Sequence, residues 1–243
     1  MEPVLSRAFR SVPPLEDGPP ITLGVRALDA ALGGGLCARR VHEIVPGGVF
    51  QLGSAAGFAL GLASCADRRG AVIWIQQGQA AAEGGVPYGS GASLFGFSPA
   101  RFLLVKAATA KDALWAAEEG LRCAGTAAVI LELTGAGEAA DLTATRRLNL
   151  VAQEHGALPL LLRQQGMRGT SAAATRWLVR GAPGRADGFG GIGNTAFALT
   201  LEKNRHGPCG DWRLEWDHEQ HRFRAALSVA VAAPAAHRPH RAA

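Results

Sequence analysis

Lysine is scarce in this 243-residue chain: only Lys106, Lys111 and Lys203 among 25 basic residues, and none before position 106. The positive charge is therefore almost all guanidinium, a planar fork of donors suited to carboxylate or phosphate. A genome rich in G and C would give the same bias without a functional cause. Cysteine is sparse too: Cys37, Cys65, Cys123 and Cys209 lie far apart with no C-x-x-C pair. That spacing gives neither a cysteine zinc site nor a disulfide framework, and the expected state is reduced thiols. Among the 32 glycines and 13 prolines there is no G-X-Y period and no longer internal repeat, which excludes collagen-like and solenoid folds. Residues 1–20 lack the apolar run of a secretory signal, carrying Glu2, Arg7, Arg10, Glu16, Asp17 and five prolines instead. G-x-S-x-G and H-E-x-x-H are missing as well, and His218-Glu-Gln-His221 falls at a predicted turn, so neither a serine triad nor a zinc site is expected.

What is present fits a soluble globular protein: 48% hydrophobic and 19% charged residues, in a length that suits one large or two small domains. Residues 44–66 are uncharged for 23 positions, long enough to test as a membrane span. Pro46, five glycines, Gln51, Ser54 and Ser64 within that run point instead to a strand, a turn and a buried helix, so no membrane partner is expected. The net charge of +5 is uneven. Residues 1–162 hold 13 Lys and Arg against 14 Asp and Glu, whereas residues 163–243 hold 12 against 6. The basic character belongs to the C-terminal third, where Arg163, Arg168, Arg176, Arg180 and Arg185 form a candidate surface for DNA or an acidic partner. A solvated, arginine-rich edge with no dedicated partner is the plain alternative.

Short β-rich runs alternate with longer helical patterns. Strands are predicted at 41–45, 71–76, 101–106, 127–133 and 158–162, and helices at 55–69, 110–123 and 141–155, the last with Asp141 as N-cap and Gly156 as stop. Strands apolar on both faces need helices on both sides. The fold class is therefore α/β, a doubly wound, mainly parallel sheet. From Thr175 the rhythm changes to short strands without helices between them, predicted to extend the sheet as antiparallel strands. The expected division is a flexible leader (1–20), one core domain (21–225) and a disordered tail (226–243). Residues 77–99 read as a long connection beyond a central strand, with Tyr88, Phe95 and Phe97 tucking into the core.

Motif order narrows the reading. Gly24-Val-Arg-Ala-Leu28-Asp29-Ala-Ala-Leu32-Gly33-Gly34-Gly35, followed by His42-Glu43-Ile44, resembles the entry to the ATPase core of the RecA superfamily. Such a core needs a phosphate loop, G-x-x-x-x-G-K-[ST], in which backbone amides wrap the phosphates and the lysine binds them. The segment Gly53-Ser-Ala-Ala-Gly57-Phe58-Ala59 reads as a degenerate form of it, with Phe58 in place of the lysine. No cofactor and no metal are expected. The family's catalytic glutamate is replaced by Gln76-Gln77-Gly78, amides that cannot act as general base, and Glu132, where the family usually has an aspartate at the end of a buried strand, reads as a structural hydrogen-bonding group, with cation binding as the alternative. Arg163-Gln164-Gln165 resembles the segment at which RecA couples nucleotide state to a DNA-binding loop.

The phrases Ala113-Leu-Trp115-Ala-Ala-Glu118-Glu119-Gly120, Asp141-Leu-Thr143-Ala-Thr145-Arg146-Arg147, Ser171-Ala-Ala-Ala-Thr175-Arg176-Trp177 and Trp212-Arg-Leu-Glu215-Trp216 together resemble the ImuA family of damage-inducible bacterial mutagenesis proteins. The resemblance spans about residues 21–225 and implies a RecA-like fold without ATPase activity. It also implies a cytoplasmic accessory factor of SOS-induced translesion DNA synthesis, nucleoid-associated during DNA damage. Its partners would be an ImuB-type Y-family homologue and an error-prone DnaE-type polymerase, with RecA and a weak DNA contact as further candidates. Similarity of the family to SulA supplies an alternative, a division inhibitor that binds FtsZ; a divergent RecA-like ATPase is the second.

Overall fold

The computed structural model describes residues 18–66, 69–135, 140–164, 169–184 and 193–226. Most of the expected leader and tail, together with Arg168 and Arg185, lie outside the described residues.

Among the described residues, nine strands build one sheet. They are β1 (His42–Pro46), β2 (Ala71–Gln77), β3 (Phe102–Ala107), β4 (Thr126–Leu133), β5 (Leu158–Arg163), β6 (Thr175–Ala182), β7 (Thr195–Asn204), β8 (Gly210–Asp217) and β9 (Arg222–Ala225), in the order β3-β2-β4-β5-β1-β6-β7-β8-β9. Every pairing from β3 to β6 is parallel, and β6 to β9 are antiparallel. The expected α/β sheet, mainly parallel with antiparallel C-terminal strands, is the one formed.

The helices are α1 (Arg26–Ala31), α2 (Leu52–Ala66), α3 (Gly78–Gly84), α4 (Gly89–Ser93), α5 (Ala110–Arg122) and α6 (Leu142–His155). Strand alternation sends Val72, Trp74, Ile130 and Leu160 into one core with α1 and α2, and Ile73, Ile75, Val129 and Leu161 into a second with α5 and α6. The caps follow from sequence: Asp141 Oδ1 accepts from Ala144 N at 2.7 Å, and Gly156, at φ 92°, ends α6 in the left-handed region. By length and composition the stretch Val49–Ala66 would suit a membrane span, but here Phe58, Ala59, Leu62 and Ala63 are buried against the sheet. Gly61 permits that packing, since a Cβ there would come within 2.4 Å of the Phe223 ring on β9.

The connection from Gln77 to Pro99 differs from expectation in holding two short helices, α3 and α4. Of its aromatics, Phe95 and Phe97 are buried as anticipated, whereas Tyr88 is 77% exposed.

Candidate functional site at the carboxyl edge of the sheet

β1 ends at Pro46 and passes through Gly47, Gly48 and one 3-10 turn (Val49–Gln51) into α2. The strand-to-helix turn is therefore Gly47–Gln51, which corrects the expected loop at Gly53–Ala59. Gly53 already belongs to the first turn of α2. Phe58 lies further along the helix, fully buried, with its ring 5.6 Å from Trp177 and Phe223 and 5.8 Å from Phe197. The physical reason is that helix begins directly after Gln51 and runs on through Gly53 and Gly57, so that Phe58 falls on the face turned to the sheet, inside an aromatic core. The turn itself carries no lysine. It is tied down by β6: Gly47 N donates to Val179 O at 2.7 Å, Gly181 N donates to Gln51 Oε1 at 2.6 Å, and the Arg180 side chain lies against Gly47.

Beside this turn, on the α2 side of the sheet and reaching the carboxyl ends of β2 and β4, is a cavity of about 340 Å³. Leu52, Gly53, Ala56 and Leu60 of α2 form one wall, Trp74 and Phe102 the floor, and the segment from Gly84 to Phe95 the cover. Its polar end is Gln76 and Glu132, neighbours in register on β2 and β4.

Glu132 is 3% exposed and accepts three hydrogen bonds from neutral donors: Trp74 Nε1 at 2.8 Å, Gln76 Nε2 at 3.0 Å and Gln164 Nε2 at 2.6 Å. Burial pushes its pKa above the ordinary carboxylate value, and the three donors only partly offset that. The expected hydrogen-bonding role of Glu132 is thus what the structure shows. Gln76 Nε2 also donates to Gly85 O at 2.7 Å, which ties the cavity's cover to its floor.

The arginines predicted as a surface separate sharply. Arg163 is fully buried: its guanidinium pairs with Glu43 at 2.8 Å and donates to Ala140 O at 2.6 Å. Arg176, directly opposite Glu43 in register, bonds its second oxygen at 2.7 Å and donates to Gly169 O. Both are corrected from candidate DNA or partner contacts to structural cations, because Glu43 is itself fully buried and needs counter-charge. Arg180 is exposed, beside Gly47. Among the described residues no cluster of His, Cys, Asp and Glu could hold a metal ion. His218 instead contacts Leu94 O and Thr195.

Gln76 and Gln164, noted in the sequence at the place of a catalytic glutamate and in a coupling segment, here serve with Trp74 as the three donors to Glu132. Gln76 and Gln164 were visible as polar residues ending apolar strands, but nothing local showed that they converge on Glu132.

The architecture defines an α/β protein with a closed strand-to-helix turn and an apolar, ligand-sized cavity whose polar end reaches the carboxyl edge of the sheet. No family model matches the chain. It is 31% identical over 231 residues to Protein ImuA of two Caulobacter vibrioides strains, covering 87% of this chain and 91% of the relative. The chain belongs to the ImuA family.

Proposed function

We propose that this protein is a non-catalytic adaptor of SOS-induced, error-prone translesion DNA synthesis, built on a RecA-like core that no longer works as an ATPase. Kinship with ImuA along nearly the whole chain carries the reading. Physical chemistry supports it. A phosphate loop needs an open nest of amides and a lysine; here the turn is bonded to β6 and lacks the lysine. The position of a catalytic base holds Gln76, an amide, and the acid beside it is engaged by three neutral donors. The partners in this reading are an ImuB-type Y-family homologue and a DnaE-type polymerase, met in the cytoplasm and at the nucleoid during damage. With Arg163 and Arg176 engaged internally, direct DNA contact is a minor part of it.

Affinity purification of the tagged protein from its own DNA-damaged cells tests the reading. Recovery of the two polymerase-type proteins is expected. Recovery of FtsZ without them would move the protein to division control. Titration with Mg-ATP should show no saturable binding, and turnover would overturn the non-catalytic assignment.

A further inference from the structure

Helical periodicity gives α6 three distinct faces. Leu148, Val151 and Ala152 pack on the sheet, and Arg147 reaches Glu118 of α5 at 2.7 Å. The third face, with Arg146, Asn149, Leu150 and Gln153, lines a pocket of about 310 Å³ that Arg40, Ala172 and Arg205 complete. Arg40 precedes β1 and Arg205 follows β7, so this pocket lies on the α6 side by the amino end of β1, across the sheet from the cavity beside α2.

Its amides are held in place and its charges are of one sign. Asn149 Oδ1 accepts from Val41 N at 2.7 Å, and its Nδ2 donates to Ala172 O at 3.0 Å. Gln153, with its amide oxygen turned to Arg40, accepts from both terminal guanidinium nitrogens at 2.8 Å, so a neutral group orients that cation. No Asp or Glu lines the pocket. Arg146 and Arg205 are both exposed, and neither has a side-chain ion pair among the described residues. Glu154, next along α6, lies beside His155 with its side chain 73% exposed. Burial lowers the pKa of Lys203, and the charge of Arg205 lowers it further, so the positive field extends along the end of β7.

Three arginines around one concavity call for an anionic guest, because each guanidinium fork matches a carboxylate or a phosphate. The remaining wall chooses between the two. Leu142, Leu150 and Ala172 are apolar, Leu150 is 58% exposed, and no aromatic ring lines the pocket. A nucleic-acid strand would find nothing here on which to stack a base. A peptide supplies both a carboxylate for the arginines and an apolar neighbour for the leucine.

We propose that this pocket docks an acidic segment of a protein partner, in which Asp or Glu alternates with leucine-like residues. Carboxylates of the segment pair with Arg146 and Arg205, Arg40 adds a third, pre-oriented cation, and an apolar side chain of the segment covers Leu150. This deepens the adaptor reading and rests on it for the identity of the partner.

Two measurements on the full chain test the site. The first is an NMR titration with the peptide acetyl-Leu-Glu-Asp-Leu-amide, its neutral counterpart acetyl-Leu-Gln-Asn-Leu-amide, and oligothymidylate. The acidic peptide should shift the side-chain amides of Asn149 and Gln153 saturably and bind about tenfold or more tightly than the neutral one, the ratio that one charge-assisted hydrogen bond confers. R146Q/R205Q, which removes both forks without reversing charge, should abolish the difference. Absence of saturable shifts, or equal affinity for the two peptides, overturns the proposal. Oligothymidylate that shifts the same amides at lower concentration than the acidic peptide overturns it in favour of a nucleic-acid contact.

The second measurement is capture from DNA-damaged cells by R146E/R205E. Both side chains are exposed, so the variant should keep its unfolding midpoint, while like charges at the interface cut recovery of polymerase-type partner by about tenfold or more. Capture equal to wild type overturns the docking site and leaves the adaptor reading in place. Wild type that captures neither polymerase-type protein overturns the adaptor reading, and the peptide titration then decides the site by itself.

Discussion

Glu43 and Glu132 are both buried carboxylates on central parallel strands, yet they face opposite sides of the sheet and are stabilised in opposite ways. Glu43, on the α6 side, is gripped by two guanidinium groups. Glu132, on the α2 side, has three neutral donors and a raised pKa. A carboxylate between two arginines is a fixed strut across β5, β1 and β6. One held by neutral dipoles beside a chamber can change protonation without tearing out a cation. The difference separates a fixed charge from one that can titrate.

The largest effect is expected from placing a cation on the α2 side. Phe58→Lys would set an ammonium among the rings of Trp177, Phe197 and Phe223 and should cost about 4 kcal/mol or more, read as loss of cooperative unfolding or a large fall in the denaturant midpoint. Stability near wild type would refute the assignment of Phe58 to the core. Next, Glu43→Gln should cost about 3–5 kcal/mol in denaturant unfolding, because Arg163 keeps its buried charge after losing its counter-ion.

A third effect appears on acidification. His42 is fully buried between Thr175 Oγ1 and Cys37 O, and burial lowers its pKa to about 4 from 6.5. The unfolded chain therefore binds the proton more readily, so this contribution is complete above pH 6.5 and is lost as pH falls to about 4. Its size is about 3 kcal/mol, and His42→Gln should flatten the pH profile of unfolding free energy in that window. The smallest effect, about 1 kcal/mol or less near neutral pH, is expected for Glu132→Gln, and its sign distinguishes the two faces. A raised carboxyl pKa gives stability that is complete below the ordinary value of 4.5 and is lost as pH rises through the folded one. Relative to wild type the variant should gain with rising pH, and a parallel profile would refute the raised pKa of Glu132.

Periodicity made the sheet legible. Runs such as Ala71–Gln77 and Leu158–Arg163 have no polar face, and that alone demands helices on both sides. The register of α2 was harder, because an uncharged stretch with glycines at Gly47, Gly48, Gly53 and Gly57 offers several equivalent starting points. The fate of Arg163 was not legible at all. An arginine ending an apolar strand reads as solvent-facing until Glu43, 120 residues away, is known to lie beside it. The same applies to the cavity. Tyr88 and Phe95 are similar letters in one connection, and only the packing of Phe95 on Trp216 distinguishes the buried ring from the exposed one.

Phe223, on β9, closes over Gly61 and touches the rings of Phe58, Phe197 and Trp216. In a chain made from the amino end, helix α2 must wait more than 150 residues of synthesis for that ring. A fragment that stops short of β9 presents its aromatic interior to chaperones and proteases, so ribosome stalling or cleavage late in the chain would remove the whole protein from the cell.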